Sequence, residues 1–139
     1  MIITDEKILR QKSEDFKGTL KELDELITKL EYELENSEYP GVGLAAIQIG
    51  IPLKVGILRT EALTLNLFNT EILSGSELKI KNEGCLSFPN KFINVYRMDK
   101  ITINNGNGSI YELDGFEAQA VQHEIDHFNA ITMFDRQAI

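Results

Sequence analysis

The chain has very little of what sulfur and metal chemistry is built from: among 139 residues there are one cysteine and two histidines. A lone cysteine cannot close an internal disulfide, so the composition suits a reducing compartment. A chain of this length can bury a sufficient core without such a staple, and one domain over residues 1–139 is expected. Positive charge is scarce as well: 14 Lys and Arg against 22 Asp and Glu leave a net charge of −8. No basic cluster offsets that balance, which argues against a nucleic-acid partner. No apolar run reaches transmembrane length, and Met1-Ile2-Ile3-Thr4-Asp5-Glu6 lacks the basic-then-apolar order of a secretion signal. These absences lead to the expectation of a soluble, cytoplasmic protein with no membrane partner and, by default, a monomer.

What is present is concentrated. Both histidines fall in Gln122-His123-Glu124-Ile125-Asp126-His127, an H-E-x-x-H pattern. On a helix, residues four apart share a face roughly 5–6 Å apart, so His123 and His127 can hold one metal ion. Glu124 would then stand beside the open coordination position, where it can take a proton from a water whose pKa the ion lowers to about 7. Against this stands chance: such a short pattern also arises on the solvated face of a polar helix. The third ligand decides, because catalytic sites of this type use three protein ligands plus water. Residues 128–139 contain no Glu and no His, which excludes a peptidase with a downstream Glu ligand. The longer H-E-x-x-H-x-x-G-x-x-H pattern fails too, with Ala130 at the glycine and Met133 at the third histidine. The one soft donor left is Cys85. By default a single cysteine is an inert, buried small hydrophobe, but here it completes a Cys-His-His set. A rival reading makes Cys85 the nucleophile and a histidine its base; it leaves the helical spacing of His123 and His127 unexplained.

Along the chain, Ile2 to Phe16 shows no clear period, with Ile8 and Leu9 expected to pack and Lys7 and Arg10 to stay wet. Leu20, Leu23, Leu26, Ile27, Leu30 and Leu34 then recur at three- and four-residue spacing, which predicts an amphipathic helix with Thr19 and Glu22 as a capping box. Residues 40–50 are rich in small residues, and their one amide, Gln48, must find a partner if buried. Strands are expected over 51–59, 63–73, 77–81, 93–97 and 100–104, with a turn at Ser74-Gly75-Ser76, Cys85 in a loop, and a hairpin through Asn105-Gly106-Asn107-Gly108. Asp114 reads as the N-cap of a last helix. The fold class is α+β: a mostly antiparallel sheet, an N-terminal amphipathic helix and a metal-binding helix near the C-terminus.

Three segments, Gly41-Val42-Gly43-Leu44-Ala45-Ala46-Ile47-Gln48, Glu83-Gly84-Cys85-Leu86-Ser87 and Gln122-His123-Glu124-Ile125-Asp126-His127, resemble the three signature motifs of peptide deformylases, in the same order. The resemblance implies hydrolysis of the N-terminal formyl group from N-formylmethionyl peptides and nascent chains, with transient proximity to the ribosome. It implies Cys85, His123 and His127 as ligands of one divalent metal ion, Fe(II) physiologically, with Zn, Ni or Co able to replace it. Glu124 becomes general base and then general acid, Gln48 and the Leu86 N–H stabilise the oxyanion, and Val42, Gly43 and Gly84 bind the substrate backbone. Glu83 and Arg97 match a pair that braces the cysteine loop.

Helix periodicity adds that Phe116, Gln119 and Ala120 share the face of His123 and should line the methionine pocket. Gln119 is polar where an apolar residue is expected. Ile47 replaces the usual proline or threonine, Asn69-Thr70 stands where Asn-Pro is commoner, and the chain resembles a short form without the usual C-terminal extension. A catalytically silent binder of formylated or acylated N-termini is the competing reading from another class; a complete Glu124 and Gln48 argue against it, since a binder has no need of a general base.

Overall fold

The computed structural model describes residues 1–139. Helices α1 (Glu6–Leu9) and α2 (Leu20–Glu35) precede two antiparallel three-stranded sheets, and α3 (Gly115–Phe128) follows them. The first sheet is β1 (Gly43–Ala45), β2 (Val55–Arg59) and β3 (Thr64–Phe68); the second is β4 (Glu71–Cys85), β5 (Phe88–Asn104) and β6 (Ile110–Asp114), each in chain order. The expected α+β class holds, with the strands divided between two sheets. No helix is long and apolar enough to cross a membrane.

Strand alternation makes the first sheet a shared wall. Leu44, Val55 and Ile57 face α2 and meet Leu23, Leu26, Ile27 and Leu30. Ala45, Leu58, Leu65 and Leu67 face the other way and pack with Ala118, Val121, Ile125 and Phe128 of α3 and with Ile101 and Ile103 of β5. Side chains of a strand point to opposite faces in turn, so β2 must be apolar where both faces are covered, as it is from Val55 to Leu58. The capping box of α2 forms as read: Glu22 N–H donates to Thr19 Oγ1 and Thr19 N–H to Glu22 Oε1, each at 3.1 Å. Leu20, the first residue of α2, departs from the leucine stripe and is 80% exposed. Near the N-terminus Leu9 is buried and Ile8 half-buried, as expected.

Tertiary pairing redraws the strand boundaries. Ser74, Gly75 and Ser76 form no turn: they pair with Thr102, Ile101 and Lys100 inside one long β4, next to a register shift between Ile72 and Ser74. Residues 93–97 and 100–104 merge into a single β5. The connection from β4 to β5 is the two-residue turn Leu86-Ser87, so Cys85 is the last residue of a strand, not part of a loop. A second register shift, between Gly84 and Cys85, breaks the ladder there, and such bulges re-aim side chains beside functional sites. The hairpin at Asn105–Gly108 forms as expected, with Gly108 N–H donating to Asn105 O at 2.8 Å.

Both ends of α3 are sharply defined. Asp114 takes the N-cap position without a side-chain cap bond, and Gly115, at φ +56°, turns β6 straight into the helix with no intervening residue. At the other end Ile131 N–H donates to Asp126 O at 2.9 Å and Ala130 N–H to His127 O at 3.2 Å, the paired bonds of a Schellman cap. Its left-handed residue is Ala130, at φ +62°, where glycine is usual. Ala130→Gly should therefore stabilise the fold by about 1 kcal/mol, the cost of a Cβ in that conformation. A urea midpoint that does not rise would show that the cap carries no strain.

Candidate active site

α3 is the axis of the site, and nearly its whole length from Ala118 to Phe128 is buried. His123 and His127 lie one turn apart with ring centroids 4.8 Å from each other and Nε2 atoms separated by 3.1 Å. The broken end of β4 brings Cys85 Sγ to 3.5 Å from His127 Nε2, and all three donor atoms fall within 4.8 Å of one another.

Behind the donors lies a chain of buried charge. His123 Nδ1 is 2.7 Å from Glu83 Oε2. Arg97 holds Glu83 with two bonds, of 2.9 and 2.7 Å, and donates to Asp126 at 2.5 Å. Arg136 closes the far end on Asp126 at 3.0 Å. Burial would raise the Glu83 carboxyl, but the bonds from His123 and Arg97 overcome it and hold the group at about 2. Gln122 pins α3 to β5 by pairing with both the N–H and the C=O of Met98, at 3.0 and 2.8 Å, as a strand would.

Gln48 reaches the site from a 3-10 turn, Ala46–Ile49, that follows β1. Its Oε1 accepts from Ala45 N–H at 2.9 Å, so its amide hydrogens must face the other way. They point to Ser87 Oγ at 3.1 Å and Cys85 Sγ at 3.6 Å. Glu124 differs from every other carboxylate here: it is 3% exposed, accepts no hydrogen bond, and is pushed by burial up to about 7. Room for it depends on Gly43, where a Cβ would sit 2.6 Å from Glu124 Oε2.

These groups border a cleft of about 350 Å³. Val42, Gly43, Gly84, Phe116, Gln119 and Ala120 all line it. So do Gln48, Glu83, Cys85, Leu86, His123 and Glu124, while His127 and Arg97 lie a layer deeper. Every candidate residue from the sequence is therefore in the cleft or directly behind it. Three contributors escape a sequence reading: Asp126 as second partner of Arg97, Ser87 behind Gln48, and Gln122 as the tie to β5. Asp126 and Gln122 stand inside the third motif, and a buried carboxylate or amide there signals an unseen partner.

The donor set fits a divalent metal ion. The bond to Glu83 places the His123 proton on Nδ1 and leaves Nε2 free to coordinate, as is usual for metal-binding histidines. Burial opposes charge on His123, yet Cys85 and Glu83 raise its pKa well above the ordinary value; burial and the charge on His123 lower that of His127.

The family model described as polypeptide deformylase matches residues 1–138. A peptide deformylase of Aquifex aeolicus is 41% identical over 147 aligned positions, covering 98% of this chain and 85% of that protein. Among solved structures, a peptide deformylase from Thermotoga maritima superposes with a TM-score of 0.89 at 30% identity, over 100% of this chain and 97% of that one. Another, from Synechococcus elongatus in complex with actinonin, gives 0.87 at 29% identity, over 99% and 78%.

The Glu83 carboxyl, at about 2 in the fold against an ordinary 4.5, lends stability that is complete above pH 4.5 and lost as pH falls from there toward 2. Between neutral pH and about pH 3, the urea midpoint should fall more steeply for the native chain than for Glu83→Gln. Parallel slopes would remove the carboxylate from this linkage.

Proposed function

The chain belongs to the polypeptide deformylase family, and from that premise we propose how its own residues remove the N-terminal formyl group from N-formylmethionyl peptides and nascent chains. One observation carries the reading: a single cleft unites Cys85 and His123, with His127 directly behind them, and a carboxylate, Glu124, that no protein group has claimed.

Cys85 Sγ and the two Nε2 atoms are the proposed ligands of one divalent ion, Fe(II) by the family resemblance, with Zn, Ni or Co as substitutes. When bound, such an ion supplies Lewis acidity, polarising a carbonyl oxygen and lowering the pKa of water to about 7. Glu124 takes a proton at its carboxylate from the water that attacks the formyl carbon and hands it to the departing amine nitrogen. A carboxyl raised to about 7 by burial is suited to both transfers. Gln48 Nε2 and the Leu86 N–H, which has no backbone partner, donate to the oxygen that becomes negative as the formyl carbon turns tetrahedral. Each such donor contributes about 3 kcal/mol in comparable sites. Ala45 locks the Gln48 amide in the donating orientation before substrate arrives, so no reorganisation is needed.

β1 pairs only with β2 and β4 only with β5, so both present a free edge, and residues beside each line the cleft. An extended substrate adds as a strand along Val42 and Gly43, with Gly84 opposite. Phe116, Gln119 and Ala120 wall the pocket of the first side chain. Glu83 and Arg97 orient His123. In this reading residues 1–139 act as one catalytic domain and as a monomer, in the cytoplasm and near the ribosome, without binding nucleic acid.

Anaerobically prepared, iron-loaded protein should release formate from a formyl-Met peptide; no turnover would sink the reading, and activity that survived strong chelation would favour Cys85 as nucleophile. Glu124→Ala should keep its metal and lose about 10³-fold in kcat. Gly43→Ala, which sets a methyl against Glu124 Oε2, should also keep its metal and lose about 10²-fold, the scale of an ångström-sized misplacement. A near-normal rate in either variant would refute the role of the carboxylate.

A further inference from the structure

The wall of the first-residue pocket contains one amide whose orientation is fixed. Gln119 lies on α3 four residues before His123, is 7% exposed, and lines the cleft beside Gly84, Phe116 and Ala120. Its Nε2 donates to the Asn82 carbonyl at 2.9 Å and to Glu83 Oε1 at 3.3 Å. Both amide hydrogens are thereby used, and exchanging N for O would set an oxygen against two acceptors. The carbonyl oxygen accepts nothing from the protein and is not among the side-chain atoms sealed from solvent without a partner. A fixed acceptor therefore looks into the pocket.

A methionine side chain offers that acceptor no donor. A glutamine side chain has the same length and forks only at its terminal amide, one arm of which places an N–H where methionine has its terminal methyl. An all-hydrocarbon pocket rejects such a group because its polar atoms go unpaired, a penalty of roughly tenfold to a hundredfold. With an acceptor already in the wall, that penalty falls.

We propose that Gln119 makes the first-residue pocket amphipathic, so that the enzyme deformylates peptides whose formylated first residue ends in a hydrogen-bond donor as well as those that begin with methionine. This rests on the deformylase reading of the cleft. The reaction is the same in both cases: the formyl C–N bond is hydrolysed, the water oxygen goes to formate, and a proton goes to the freed amine.

The test compares kcat/KM for formyl-Met-Ala-Ser, formyl-Gln-Ala-Ser and the methionine sulfoxide peptide, which is polar but has no donor, in the native chain and in Gln119→Met and Gln119→Leu. The native chain should process the glutamine peptide within about tenfold of the methionine peptide, and the sulfoxide peptide at least about tenfold less well than glutamine. Both variants should lower the glutamine-to-methionine ratio by about tenfold, the worth of one net hydrogen bond; a ratio cancels differences in metal loading. Unchanged ratios in the variants, or equal handling of glutamine and sulfoxide by the native chain, would overturn the proposal while leaving the deformylase reading intact. Should neither variant fold, the native comparison of glutamine with sulfoxide decides alone. Failure of the native chain on the methionine peptide would overturn both.

Discussion

The buried guanidinium of Arg97 is the interaction on which the site depends. It stands on β5, grips Glu83 on β4 with two bonds, and reaches Asp126 on α3, so one planar cation joins the hairpin that carries Cys85 to the helix that carries both histidines. Such networks seldom add net stability over well-packed apolar groups, since desolvation of the charges offsets their attraction. What the arrangement supplies is direction. Arg97 can satisfy both carboxylates only when β4, β5 and α3 stand in one relative position, and Glu83 Oε2, which accepts from Arg97, is then also aimed at His123 Nδ1. The orientation of the His123 ring is thus set through Glu83 by Arg97.

The cleft follows from sheet topology in the same way. Two sheets present their edge strands, β1 and β4, toward a common space, and α3 closes its floor. Close approach is possible because residues at the contact lack side chains: a Cβ on Gly43 would strike Glu124, and one on Gly41 would lie 2.7 Å from Leu86. The glycines of the first motif are thus explained by what stands opposite them, more than by backbone conformation. Gln48 enters by the same route, held by its own neighbour Ala45 and by Ser87 across the cleft.

How much of this reads from the sequence depends on the distance over which each interaction acts. The Thr19 capping box and the leucine stripe of α2 are local, and both are legible. The grouping of Cys85, His123 and His127 is legible for a chemical reason: the chain has only one thiol and two imidazoles to offer. Long-range pairing is where the reading stops. Ser74-Gly75-Ser76 has the composition of a turn, and only the ladder to β5 holds it in a strand. Leu20 obeys the helical period, yet no neighbour covers it. Asp126 sits in plain view within the third motif, yet its partner Arg97 is 29 residues away, and nothing local names it. Gln119 reads as an anomaly in an apolar pocket until Asn82 and Glu83 are seen to hold it.

The separation of Cys85 from His127, 42 residues along the chain, governs when the centre can come into being. Cys85 belongs to a hairpin with a two-residue turn, and the histidines belong to one helix; each unit can order through contacts near in sequence. Alone, the first offers one donor and the second two. The complete set exists only after α3 has docked on β5 through Gln122 and Asp126. An ion held by these three would join the β4–β5 hairpin to α3, and the free energy of coordination would add to that tertiary contact. Such an ion would act as a latch on helix docking, and its loss would loosen the one joint that the rest of the site shares.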